Sequence, residues 1–257
     1  MKNLVICGDS FSIGIGCHDL HNEPYGSLLA KKLGLNLINL AKGSSTNLSI
    51  SLQVKHAVDN IRDIELLIIA PTCNHRIEWF PENASEDYNV DNLNVNYHEY
   101  PPYGEGTYPQ LLEHPMKDDS RYRGDMLTEN WYGIIEYVDG FLDKNIGSPT
   151  YYKKFRKERP ERMKLLKQYY LEFFNSRIQR QFDMGVIIKS HVLLKNKGIN
   201  HLIFADDREY YLYIPEEIGV DVSWGQLSLD FPDDMNTLHT SWEGQIKVYE
   251  AILNKLK

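Results

Sequence analysis

Cysteine is scarce in this chain of 257 residues, which holds only Cys7, Cys17 and Cys73. An odd count cannot close a full set of disulfides, and no Cys-x-x-Cys pair occurs. A disulfide framework and a cysteine-built zinc site are therefore excluded as organising features. Long apolar runs are also lacking, and none approaches the roughly 20 residues that span a bilayer. Between Lys2 and the break at Gly8-Asp9 lie only five residues, too few for the apolar region of a signal peptide. The expected compartment is the cytoplasm. Positive charge is in deficit, with 28 Lys and Arg against 36 Asp and Glu and a net charge of -8. No nucleic-acid partner is expected, because phosphates need a cationic counter-surface. The one dense basic run, Lys153-Lys154-Phe155-Arg156-Lys157, is followed by Glu158 and Glu161 and reads as a solvated helix face.

Several catalytic signatures are missing as well. Gly14-Ile15-Gly16 lacks the third glycine of a dinucleotide fingerprint, and no Gly-Lys-Ser/Thr closes a phosphate loop. Gly-x-Ser-x-Gly is absent, which argues against the α/β-hydrolase elbow. His18 and His21 are spaced for one helix face, but no His-Glu-x-x-His accompanies them. Neither a metal nor a cofactor is expected.

What remains is the mixture of a globular protein, 42% hydrophobic and 25% charged. Leu4-Val5-Ile6-Cys7 stops at Gly8 and reads as a buried parallel strand. A helix is expected over Tyr25–Leu33, stopped by Gly34, then a strand over Leu35–Leu40. Asn47 is placed to cap a helix running toward Asn60, and Glu65–Ala70 supplies a third strand, halted by Pro71. Alternating strands and helices with short connections predict a parallel sheet. From about Phe80 to Pro160 apolar periodicity fades and Tyr, Pro, Asn and Asp accumulate, which predicts an insertion over the edge of the sheet, with short helices around Trp131–Leu142. A long helical stretch follows over Glu161–Asn196, ended by Gly198. Strands are expected at His201–Ala205 and Ile218–Val222, and a closing helix at Ser241–Leu256.

Two places carry chemistry. Gly8-Asp9-Ser10-Phe11-Ser12 follows the first strand, at the carboxyl edge where open parallel sheets bind ligands. Gly8 permits the turn, Asp9 can accept nearby backbone N–H groups, and Ser10 can start a helix with its own N–H aimed at a developing oxyanion. Far away, His239-Thr240-Ser241-Trp242-Glu243-Gly244-Gln245 leads into the last helix. A loop there can return to the strand ends, where His239 can take the Ser10 proton. Taken singly, a Gly-Asp-Ser turn or one of nine histidines carries little weight.

Together these residues resemble the GDSL/SGNH hydrolase superfamily, in which a Gly-Asp-Ser-x-Ser block follows the first strand and the base sits in a late Asp-x-x-His block before the last helix. The resemblance covers about Met1–Phe80 and Asn200–Lys257 and leaves the insertion out. It implies an α/β fold, a three-layer α/β/α sandwich with a flavodoxin-like parallel sheet, as a single domain over 1–257 with an insertion or lid at about 80–160. It further implies Ser10 as nucleophile and His239 as base, with an oxyanion hole formed by the Ser10 N–H, the Gly43 N–H after strand two, and the Asn74 side chain after strand three.

The middle and late blocks depart from the pattern. Ala70-Pro71-Thr72-Cys73-Asn74-His75 lacks the glycine of the family's third block, and Thr72 is the alternative donor in a shifted register. The residue three before His239 is Asn236 rather than Asp. Asn236 can fix the imidazole tautomer without stabilising its charged form. A carboxylate reaching the histidine from a distorted loop, Asp234 before Asp233, is favoured slightly over Asn236, and a Ser-His dyad with a backbone carbonyl is the other alternative. Arg76, near the mouth, can hold an anionic substrate group, although a salt bridge with Glu78 is the plainer role.

The expected activity is ester hydrolysis through an acyl-enzyme, on a small-molecule or carbohydrate ester. Tyr88, Tyr97, Tyr100, Tyr103 and Tyr108 suit packing within the insertion first and stacking on an O-acetylated sugar second. An inactive fold serving as a binding or assembly module, and an acyltransferase, are the alternatives. Oligomeric state is not legible.

Overall fold

The computed structural model describes residues 1–41, 45–72, 176–205, 214–234 and 239–257. Five strands form one parallel sheet: β1 (Asn3–Cys7), β2 (Asn36–Asn39), β3 (Ile64–Ile69), β4 (His201–Ala205) and β5 (Gly219–Asp221). Their order is β2-β1-β3-β4-β5, a doubly wound order in which the chain turns outward on opposite sides of β1. The gap between the carboxyl ends of β1 and β3 is thus the topological switch point.

The central strands are apolar on both faces because helices cover both. Leu4 and Ile6 of β1, Leu66 and Ile68 of β3, and Leu202 and Phe204 of β4 enter one core. It is shared with Tyr25 and Leu29 of α2 (Tyr25–Leu33) and with Val248 and Ile252 of α6 (Trp242–Lys255). The alternate residues Val5, Cys7, Leu67, Ile69, Ile203 and Ala205 enter a second core. Ile50, Val54 and Ala57 of α3 (Asn47–Asn60) and Met184, Ile187 and Leu194 of α4 (Ser176–Asn196) complete it. The period-two alternation of each strand therefore assigns every second side chain to one of two helical layers. Among the described residues no helix is long and apolar enough to cross a membrane.

The helix ends follow local chemistry. α2 stops at Gly34, whose φ of 67° closes the helix with its N–H on the Ala30 carbonyl. At its start Pro24 offers no side-chain cap, and the Tyr25 N–H is taken instead by Gln245 Oε1 at 3.1 Å. Asn47, expected as the cap of α3, is its first helical residue. The cap is Thr46, whose hydroxyl accepts the Ser49 N–H at 3.1 Å. Asn47 is thereby released for another task, described below. Two short helices frame the sheet's carboxyl edge: α1 (Ser10–Ile13) and α5 (Trp224–Asp230). The expected insertion at 80–160, its tyrosines and the Glu161–Asn175 part of the long helix lie outside the described residues.

At the amino end of the sheet, His201 is nearly buried. Its Nδ1 faces the Ile199 carbonyl at 2.8 Å and its Nε2 faces His191 Nδ1 at 2.8 Å. A carbonyl only accepts, so His201 carries its proton on Nδ1 and receives the His191 N–H at Nε2. Burial, opposed by the Ile199 carbonyl, holds the His201 pKa below the ordinary imidazole value. Burial and then the neighbouring His201 depress His191 in the same direction. A folded-state pKa below the unfolded one means that the unfolded chain binds more protons, so stability rises with pH. The contribution is complete above about pH 6.5, the ordinary imidazole value, and is lost as pH falls through the depressed folded value. Urea midpoints should therefore fall on acidification below that point, and less steeply in His201→Gln. An unchanged pH dependence in that variant would remove the pair as a source.

Candidate active site

Ser10 stands two residues beyond Gly8 at the end of β1, and its turn is fixed from several sides. A Cβ on Gly8 would strike the Ser12 side chain. The Gly8 peptide is gripped by Gln53 of α3, whose Oε1 accepts its N–H at 2.8 Å and whose Nε2 donates to its carbonyl at 3.1 Å. Gln53 is buried and also donates to Ser45 Oγ. Asp9 caps α1 with Oδ1 on the Phe11 N–H at 3.0 Å, and its Oδ2 accepts the Thr72 hydroxyl at 2.8 Å. The Asp9 carbonyl takes the Ser12 and Ile13 N–H groups. The Ser10 N–H is engaged by none of the described residues.

Thr72 follows β3, and Asn47 clamps its peptide. Thr72 N–H donates to Asn47 Oδ1 and Asn47 Nδ2 donates to the Thr72 carbonyl, both at 2.9 Å. Asn47, Thr72 and Asp9 are all buried. The ends of β1 and β3 and the start of α3 are thus joined by side chains that satisfy buried backbone groups. This settles Thr72 differently from its reading as an alternative oxyanion donor, because its hydroxyl is committed to Asp9. Beside it, Asn39 of β2 donates to the Ser12 carbonyl at 2.8 Å and accepts the Ala41 N–H at 2.9 Å.

His239 arrives from the opposite end of the chain. Thr240, fully buried, donates to the Leu227 and Phe231 carbonyls at the end of α5. The Ser241 N–H reaches the Phe231 carbonyl at 2.8 Å, and Pro232 and Thr240 form an antiparallel bridge. Asp233 brackets the histidine backbone, accepting the His239 N–H on Oδ2 at 2.9 Å and donating its own N–H to the His239 carbonyl at 3.2 Å. From the other side comes Gly16, with φ 104°. A Cβ there would collide with the Thr240 carbonyl and lie 3.2 Å from His239 Cβ. The outcome of these constraints is a 2.8 Å contact between His239 Nε2 and Ser10 Oγ. With the imidazole proton on Nδ1, Nε2 is free to take the hydroxyl proton while Oγ attacks a carbonyl.

The partners read from sequence fall into three groups. Ser10 and His239 are brought together. Asp234 is not brought to the base. Its carboxylate lies 3.0 Å from His18 Nε2, and both side chains are largely exposed. Of the two carboxylates, Asp233 is the one that touches His239, through the His239 backbone N–H. The loop geometry responsible pairs residues 216 positions apart and leaves no trace in local sequence. Gly43, Asn74, Arg76 and Asn236 lie outside the described residues.

Among the described residues, the two cysteines are no rival nucleophiles. Burial, reinforced by Glu23, Glu243 and Asp19, pushes Cys17 up to about 12, and burial pushes the Cys7 thiol up as well, so neither forms a thiolate near neutrality. Among the described residues no group of three His, Cys, Asp or Glu converges as metal ligands would. Sequence reasoning missed α5, which builds the floor of the His239 loop. Its signal was Ser223, whose hydroxyl caps the helix on the Gln226 N–H. It also missed the clamping roles of Gln53 and Asn47, both of which depend on contacts distant in sequence.

No family model matches the chain and no curated protein matches it, so the site rests on its own geometry. Gly16→Ala should lower stability by about 1–3 kcal/mol, the range for a side chain forced into a left-handed, crowded position. It should also displace His239 from Ser10. Denaturant unfolding reads the first effect, and the imidazole NMR shifts of His239 read the second. A variant with unchanged stability and shifts would show that this close approach is unimportant.

Proposed function

We propose that the protein is a serine esterase of the GDSL/SGNH kind, hydrolysing carboxylic esters through an acyl-enzyme on Ser10. The observation that carries this reading is the 2.8 Å contact of Ser10 Oγ with His239 Nε2 at the switch point of a parallel sheet. Further support comes from the Ser10 N–H, which none of the described residues engages and which lies on the same residue as the attacking oxygen. The resemblance of Gly8-Asp9-Ser10-Phe11-Ser12 and of the late histidine to that superfamily agrees with this assignment.

In the proposed reaction Ser10 Oγ attacks the ester carbonyl carbon while His239 Nε2 takes the hydroxyl proton. The carbonyl electrons move to oxygen, where the Ser10 N–H donates to the oxyanion. Gly43 and Asn74 are the proposed companion donors. Collapse of the tetrahedral species breaks the bond to the alcohol, which leaves with the proton from His239. Water then attacks the acyl-Ser10 ester, gives its proton to His239, and releases the acid as Ser10 recovers its proton. Asp233 holds the histidine backbone and so fixes the height of the base. Residues 80–160 are proposed as a lid that supplies substrate contacts, with Arg76 at the mouth of the site holding an anionic group and an O-acetylated carbohydrate as one substrate class.

A fluorophosphonate tests the reading without a known substrate. Wild-type protein should take up one adduct on Ser10. Ser10→Ala should take none, and His239→Ala should react about 100-fold or more slowly, the lower range for losing a positioned base. The base must be neutral, so labelling should fall about tenfold per pH unit below the imidazole pKa. A folded wild-type protein that takes no label at any pH from 6 to 9 would overturn the proposal in favour of a binding module.

A further inference from the structure

We propose that Phe11 is the positioning residue of the base, so that one four-residue turn supplies the nucleophile and also aims the histidine. This inference rests on the esterase reading of Ser10 and His239. The Phe11 ring centroid lies 4.5 Å from that of the His239 imidazole, with the planes inclined at 44°. On its other side Phe11 stacks on Trp224, with centroids 5.1 Å apart and planes 22° apart. Trp224 is 4% exposed and packs in turn against Tyr25 and Phe204, at 6.0 and 5.9 Å. Among the described residues, the imidazole is therefore the outermost ring of a ladder whose inner end lies in the core.

The ladder is anchored by backbone as well as by packing. The Phe11 N–H is held by Asp9 Oδ1, and its carbonyl accepts Gln245 Nε2 from α6 at 3.1 Å. Gln245 is fully buried and also holds the Tyr25 N–H. Phe11 thus cannot shift without breaking contacts to α1, α2 and α6. Rotation of the imidazole about its own Cβ–Cγ bond would swing Nε2 away from Ser10 Oγ. A rigid ring against its face opposes that rotation, which matters because small misplacements of reacting groups cost large factors in rate. The inclined aromatic face also favours the imidazolium that forms when Ser10 gives up its proton. An aliphatic side chain would supply bulk without that attraction.

Among the described residues, the charged groups brought near the base and its loop are Asp233, on the His239 backbone, the Asp234–His18 pair, and Asp9, on the Phe11 N–H. None of these contacts uses the Phe11 side chain, and Phe11→Tyr keeps the ring, so a titration change in Phe11→Leu that tyrosine reverses reports the ring itself.

The test compares wild type, Phe11→Leu and Phe11→Tyr by fluorophosphonate labelling from pH 5 to 9, with an NMR titration of the His239 imidazole in each. Phe11→Leu should label about tenfold more slowly at neutral pH. Its profile midpoint and His239 titration should move to lower pH by about half a unit, the shift expected from losing a weak cation–ring attraction. Phe11→Tyr, which keeps the ring, should restore both. If wild type fails to label, the esterase reading falls. If wild type labels on Ser10 while folded Phe11→Leu matches it in rate and midpoint, only the positioning role falls. Loss of rate in Phe11→Leu with an unchanged midpoint and no rescue by tyrosine would also overturn it, because general loosening of the turn would then suffice.

Discussion

The hydrogen bond between Ser10 Oγ and His239 Nε2 joins residues 229 positions apart, and much of the buried polar network is arranged to hold its two ends. Neither end could be fixed by local structure alone. α1 has four residues, too few to form without tertiary support, and His239 sits on a loop. Each ordered residue costs about 1–2 kcal/mol of backbone entropy. The geometry therefore persists only because buried side chains from helices on both faces of the sheet converge on it. Gln53 and Asn47 reach in from α3 on one face, and Gln245 from α6 on the other.

These clamps are made from amide side chains, and the choice has a physical reason. An amide offers a donor and an acceptor side by side, as a peptide does. Gln53 pairs with both polar groups of Gly8, and Asn47 with both of Thr72. At the carboxyl edge of a sheet the strand ladder ends and its last peptide groups lose their partners. A buried amide replaces them without introducing a charge to desolvate, and leaving such groups unpaired would cost about 1–3 kcal/mol each. Asp9 is the charged exception in this layer. Its carboxylate accepts both a backbone N–H and the Thr72 hydroxyl, so it couples the Ser10 turn to the end of β3.

The framework was legible where a single physical signal dominates. Buried parallel strands must be apolar on both faces, and Leu4–Cys7 and His201–Ala205 announce themselves for that reason. Gly34 marks the end of α2 because a left-handed residue is needed there. The pairing of Ser10 with His239 followed from the positions of both beyond strand ends, together with a family resemblance. What sequence hid depends on choices between equivalent partners. Thr46 and Asn47 are both good caps, and only the position of Thr72 decides which is used. Asp233 and Asp234 are adjacent carboxylates, and the His18 side chain draws one of them away. Phe11 reads as a motif residue until Trp224, 213 positions on, is seen beneath it. α5 is short, with one buried residue, Trp224, and so lacks the periodicity by which longer helices are recognised.

The central claim is that Ser10 forms a covalent ester with the acyl group of its substrate. It is tested most directly by mixing the protein with an excess of an activated acetyl ester, quenching in acid within the first turnover, and mapping the modified peptide by mass spectrometry. The account predicts one acetyl group on the peptide carrying Ser10, decaying when the ester is removed and absent from Ser10→Ala. Ester cleavage by wild type with no acyl group on that peptide, or equal acetylation of Ser10→Ala, would contradict it.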